Sequence, residues 1–158
     1  MKRLFVALSL VAVASHVPAA GPEVPYPAGY RDWHHVKSMV IEPGHPLHEA
    51  FGGIHHLYAN PQAVAGYRSG EFADGAIIVF DLLEAKSADN AVTEGARKVL
   101  GVMHKDAKKY PATGGWGFEG FGGGDAAQRV VGDKAASACF ACHAPQKDHD
   151  YVFSRMRD

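Results

Sequence analysis

Only two cysteines occur in the 158 residues, and they stand three positions apart near the end of the chain, in Cys139-Phe140-Ala141-Cys142, with His143 directly after. On their own, two such thiols are compatible with a disulfide or a redox dithiol. A structural zinc site needs two more ligands, and the next histidine, His149, lies wider than usual finger spacing. The adjacent His143 decides between these readings. Cys-x-x-Cys-His is the attachment signature of c-type haem. Two thiols three positions apart lie on one side of a helical turn, where they can add across two vinyl groups, and the next residue turns its imidazole toward the iron. The segment therefore predicts one covalently bound haem c, with Cys139 and Cys142 as thioether sites and His143 as the axial iron ligand. Whatever the chain folds into must deliver a short helical segment, with only 15 residues after His143, against a cofactor wall built by the rest.

The N-terminus agrees with that chemistry. Lys2 and Arg3 precede an apolar run from Leu4 to Ala14, followed by small residues at Ala19, Ala20 and Gly21. A basic start, a short apolar stretch and a small-residue cleavage site describe a secretory signal peptide, and the run is shorter than a membrane-spanning helix requires. Residues 1–20 are expected to be removed, which places the protein in the periplasm and leaves residues 21–158 as a single domain. Removing Lys2 and Arg3 leaves 14 basic against 17 acidic residues, a charge of about −3. No clustered Lys/Arg face is present, so nucleic acid and anionic membrane surfaces are not expected partners.

Between the two ends the chain reads as β-rich. Trp33 to Ile41 and Gly53 to Tyr58 are predicted strands, with Glu42 to His48 a connection rich in Pro and Gly. Asn60-Pro61 opens a short helix over 61–69. Ala76 to Leu83, apolar and rich in Ile, Val, Leu and Phe, is the strongest strand pattern. Arg97 to His104 and Gly115 to Phe121 are predicted as the fourth and fifth strands, and Asp125 to Ala141 as a helix delivering the cysteines. The expected class is α+β, a mostly antiparallel sheet with a few helices. Small electron-transfer cytochromes carry the attachment motif near the N-terminus with a ligand Met far downstream, whereas here only Met156 follows it. A four-helix bundle is incompatible with 18 glycines, nine prolines and β-branched runs.

Pro27-Ala28-Gly29-Tyr30-Arg31-Asp32-Trp33, Tyr58-Ala59-Asn60-Pro61, Phe72-Ala73-Asp74-Gly75, Lys105-Asp106, Gly115-Trp116-Gly117-Phe118 and the terminal Cys-x-x-Cys-His resemble the cytochrome P-460 superfamily from Pro25 to Phe153. The resemblance implies an antiparallel β fold, a homodimer and one five-coordinate haem. In the family's enzymes, which oxidise hydroxylamine, a lysine in the strand after the Asp-Gly turn is cross-linked to the haem. The corresponding position here is Phe80, and Lys86 lies past the end of the predicted strand. This departure resembles the cytochrome c′-beta branch, whose distal pocket is capped by two phenylalanines; the second corresponds to Phe51. The implied function is binding of small gaseous ligands such as NO and CO, in scavenging, storage or sensing, with no catalytic residue assigned.

Two alternatives stand beside this reading. One is an enzyme oxidising hydroxylamine or NO. The other is an electron carrier, working with a redox partner protein, whose iron takes a second histidine: neighbours on a strand face opposite sides, so one each of His34/His35 and His55/His56 can point inward, and His104 too, although the plainer reading of these histidines is solvent-facing or hydrogen-bonded. Glu119, between aromatics, is read as the exposed side of a strand in preference to a buried proton relay, and Arg31 and Asp32 as a structural pair or cap. Lys147 is the nearest basic residue after His143.

Overall fold

In the computed structural model, residues 23–157 are described; the signal peptide expected over residues 1–20 lies outside them. Five strands, β1 (His34–Ile41), β2 (Gly53–Ala59), β3 (Ile77–Ala88), β4 (Ala91–Lys105) and β5 (Trp116–Gly122), form one antiparallel sheet in chain order. Each strand pairs with its sequence neighbour, as expected when connections are short. The α+β expectation holds.

The helix α2 (Pro61–Ser69) forms where the Asn-Pro signal puts it. The Asn60 carboxamide oxygen accepts from the Ala63 N–H at 2.9 Å, Pro61 occupies the first turn, and Gly70 ends the helix in the left-handed region. The same oxygen accepts from the Ile77 N–H and the Asn60 amide donates to the Gly75 carbonyl, so one side chain caps the helix and ties it to the start of β3.

Two expectations are corrected. β3 and β4 run beyond Leu83 and begin before Arg97, meeting in a two-residue turn whose Asp89 and Asn90 both have positive φ. Asn and Asp tolerate that geometry, which suits the twist of a hairpin. The extension is exposed along most of its length, so no apolar alternation marks it in sequence.

The helix expected over 125–141 is absent from its first half. There, residues 128–131 turn back along the edge strand: the Gly122 N–H bonds the Gln128 carbonyl, the Val130 N–H bonds the Gly120 carbonyl, and Phe121 bridges Arg129. Satisfying an otherwise open strand edge outweighs helix propensity at this point. Helical structure begins only at Gly132, as a 3₁₀ turn (Gly132–Lys134), a π-helical turn (Ala135–Phe140), the short α3 (Ala141–His143) and a further 3₁₀ stretch (Ala144–His149). A short helix, α1 (His48–Phe51), also ends what was expected to be a plain connection.

Strand alternation divides the apolar residues into two layers. On one face Val36, Ala59, Ile78, Trp116 and Phe118 pack with α2, Phe72 and the C-terminal segment through Cys139, Phe140 and Tyr151. On the other, Val79, Leu100, Val102 and Phe121 pack beneath residues from the 24–33 segment. Among the described residues no helix is long and apolar enough to cross a membrane.

Candidate functional site

The pairing register sets out the face under the C-terminal segment. One row across the sheet reads Leu57, Phe80, Gly101, Gly120; the row on one side reads Ala59, Ile78, Met103, Phe118, and on the other His55, Leu82, Val99, Gly122. Phe118 lies at the end where Cys139, Phe140 and His143 sit. Its ring centroid is 5.0 Å from that of His143 and 6.3 Å from that of Phe140. At Gly101 an added Cβ would meet the Phe80 side chain at 3.4 Å, so glycine lets that ring lie low across the sheet. Leu57, Phe80, Val99 and Met103 are only half-buried and Phe51 is 40% exposed, which gives this face an accessible apolar wall.

The Cys139–His143 segment meets that wall where the π-helical turn passes into α3. Cys139 is half-buried against the core and Cys142 is exposed; neither is in a disulfide. Burial, with smaller contributions from Glu119 and Cys142, pushes the Cys139 thiol up to about 11. A redox dithiol or a nucleophile needs a lowered thiol pKa, so this environment does not suit that chemistry.

His143 has one ring nitrogen committed. Its Nδ1 lies 2.7 Å from the Tyr151 carbonyl oxygen. A carbonyl only accepts, so Nδ1 carries the proton and Nε2 keeps its lone pair. Burial lowers the imidazole's pKa, against the opposing effect of that backbone bond, and the neutral ring is the form that ligates a metal. The Phe153 ring stands edge-on to it at 5.0 Å. A neutral imidazole oriented through Nδ1, beside two thiols on one helical turn and above a half-exposed apolar wall, fits a haem. Cys139, Cys142 and His143 would hold it, and no step of chemistry needs another residue for attachment.

Farther along the same face Phe51 and Phe80 meet edge to face, with centroids 5.8 Å apart. The structure therefore brings together two residues 29 positions apart in sequence. His55 lies beside them, its ring 4.6 Å from Phe80. It is 4% exposed, its Nδ1 has no partner, and burial, aided by His56, pushes its pKa down to about 4. His55 is thus the inward member of its pair. The outward member, His56, joins a surface chain in which Ser38 Oγ bridges His35 Nε2 and His56 Nδ1, and His56 Nε2 meets Glu94 at 2.6 Å. His34 is exposed, and His104 belongs to the opposite face by its register with Ile77 and Gly117.

Glu119 is a correction: it is 6% exposed, not on a solvent face. One oxygen accepts from the backbone N–H groups of Gly120, Val131 and Gly132, and the other pairs with Arg129 at 3.2 Å. It braces the loop leading to the Cys segment. Arg31 pairs with Asp81, not with its neighbour Asp32. A groove of about 540 Å³ beyond α1, lined by Glu42, His48, Glu84, Lys86 and Lys98 among others, contains none of the Cys139–His143 residues. Sequence reasoning missed Leu57, Gly101 and Tyr151 at the site. Strand pairing could have offered Leu57 opposite Phe80, but nothing local marks a backbone carbonyl as the partner of His143.

The fold and the His143 arrangement are compatible with a haem protein. The sequence model of the cytochrome P460 family matches residues 27–154, and the chain belongs to that family. No curated protein matches it significantly.

Proposed function

We propose that the protein is an exported, periplasmic c-type cytochrome of the c′-beta kind, with a single haem joined to Cys139 and Cys142 and ligated by His143. It binds NO or CO reversibly on the opposite side of the iron, in scavenging, storage or sensing, and works as a homodimer. The haem supplies an iron with one position open to a small ligand. The chain's residues decide which ligand is held. The contact between Phe51 and Phe80 carries this reading. Two phenylalanine rings exclude water and donate no hydrogen bond, so an anionic ligand gains nothing there while a small uncharged one is admitted. β3 presents Ile78, Phe80 and Leu82 to this face, without an amine. The lysines of β4 near either end of this face are engaged: Lys98 donates to the Gly52 carbonyl, and Lys105 to Asp150 and the Gly114 carbonyl. Both facts support binding over a cross-linked hydroxylamine-oxidising enzyme.

Optical spectra of the ferric and ferrous protein test the proposal. A five-coordinate high-spin haem that binds CO and NO is expected. A red-shifted ferrous band, with hydroxylamine-dependent reduction of an acceptor, would establish the enzyme instead. The second reading rests on His55, whose unpartnered, buried Nδ1 lies beside Phe80: a low-spin six-coordinate spectrum abolished by His55→Leu would make this an electron carrier.

A further inference from the structure

Tyr151, whose carbonyl accepts from His143, sits in a turn that the backbone does not favour. Asp150 and Tyr151 are consecutive non-glycine residues with φ of 50° and 64°, in the left-handed region that L side chains rarely occupy. Something must hold them there, and the contacts converge on Asp150. Its Oδ1 accepts from the Lys105 ammonium at 2.6 Å, its Oδ2 from the Phe72 N–H at 3.0 Å, and its own carbonyl from the Trp116 indole N–H at 2.8 Å. The turn also bonds back on itself, from the Asp150 N–H to the Lys147 carbonyl and from the Tyr151 N–H to the Gln146 carbonyl. Lys105 donates additionally to the Gly114 carbonyl and lies over the Trp116 ring. The side chains of Lys105 and Asp150 are 11% and 18% exposed, so the pair is largely withdrawn from water and loss of one partner leaves the other poorly solvated.

We propose that the Lys105–Asp150 ion pair is a positioning device for the axial histidine, fixing the 150–151 turn so that the Tyr151 carbonyl holds the His143 Nδ1 proton. The inference rests on the reading of His143 as the iron ligand. A hydrogen bond from Nδ1 orients the ring and makes Nε2 a better electron donor. Because the acceptor is a backbone carbonyl, its direction is set by the turn and not by a rotatable side chain. Lys105, at the end of β4, and Asp150, after the haem-binding segment, therefore link the rigid sheet to the strength of the iron–histidine bond without touching the iron. A merely structural role would make the pair only a clamp for the C-terminal segment.

The iron–histidine stretching band of the ferrous haem protein, read by resonance Raman, and its reduction potential distinguish these roles. Asp150→Asn keeps the shape of the side chain and the left-handed tolerance while removing the charge. It should move the band to lower frequency and raise the potential, since a weakened Nδ1–H bond makes a poorer donor. Lys105→Met should shift both in the same sense, and Lys105→Met with Asp150→Asn should shift no further than either alone. Val36→Ala, in the same core layer but away from the turn, should lower the melting temperature and leave the band in place. An unmoved band and potential in Asp150→Asn, with a lowered melting temperature, would overturn the inference and leave His143 as ligand. If the band survives in His143→Gly, the ligand reading fails and the inference falls with it. Should Lys105→Met not fold, Asp150→Asn alone decides the question.

Discussion

The two faces of the sheet use the same alternation for different ends. On the face under residues 24–33, two carboxylates, Asp81 and Glu119, are enclosed by the chain's own groups. Asp81, its side chain 2% exposed, accepts from Tyr30 Oη at 2.6 Å, Arg97 Nε at 2.5 Å and Arg31 at 3.4 Å. Burial raises its pKa, but bonds from Arg97 and Tyr30 and the charge of both arginines outweigh that and hold it below the usual carboxylate range. On the face under the C-terminal segment, Phe51 and Phe80 stay partly exposed and glycine stands at two of the four positions of one row. The first face encloses its carboxylates among paired donors; the second leaves apolar surface accessible next to Cys139 and His143.

Changes on each face can break or sharpen that contrast. The largest effect is expected from Cys139→Ser with Cys142→Ser, which should abolish covalent haem, seen as loss of haem staining on a denaturing gel. Next is Arg97→Ala on the opposite face. It leaves Asp81 buried with one fewer partner and should cost about 3 kcal/mol in denaturant unfolding, with the haem spectrum unchanged; a changed spectrum would show that the faces are coupled. Phe80→Ala should alter CO association severalfold in flash photolysis, and its stability cost should fall below the ~3–5 kcal/mol of a fully buried Phe→Ala change, because the ring is half-exposed. Unchanged rates would reduce Phe80 to packing.

The smallest expected effect is in pH dependence. His55 has a folded pKa of about 4, below its ordinary 6.5, so between those values the unfolded chain binds a proton that the native one does not. Stability is fully present above pH 6.5 and declines as pH falls toward 4, by at most about 1.4 kcal/mol per unit. His55→Leu should flatten that limb in pH-dependent unfolding. An unaltered slope would mean the imidazole is not sheltered.

Much of this was legible from local signals. β1, β2 and β5 lie within a residue or so of their apolar or aromatic patterns, and Asn60-Pro61 marks the start of α2 because cap chemistry is local. The exposed half of the β3–β4 hairpin was not, since neither face of it is buried and alternation has nothing to record. The segment after Asp125 misled because its composition permits a helix while its backbone groups are claimed by the edge of β5. Glu119 misled in the same way: its neighbours suggested an exposed strand position, but a loop some ten residues on folds over it and supplies two backbone donors and Arg129.

By itself the sequence marked the end of the chain as the proposed haem-attachment segment, because Cys139, Cys142 and His143 are within five residues in a Cys-x-x-Cys-His pattern. It also placed Phe80 on a strand of the sheet. Only the tertiary structure decided that Phe51 meets Phe80, that His55 rather than His56 faces them, and that the Tyr151 carbonyl holds His143. Those are relations between strands, or between a turn and an ion pair from the sheet. They depend on pairing register and on where a buried charge finds its partner, and neither is written in the spacing of residues along the chain.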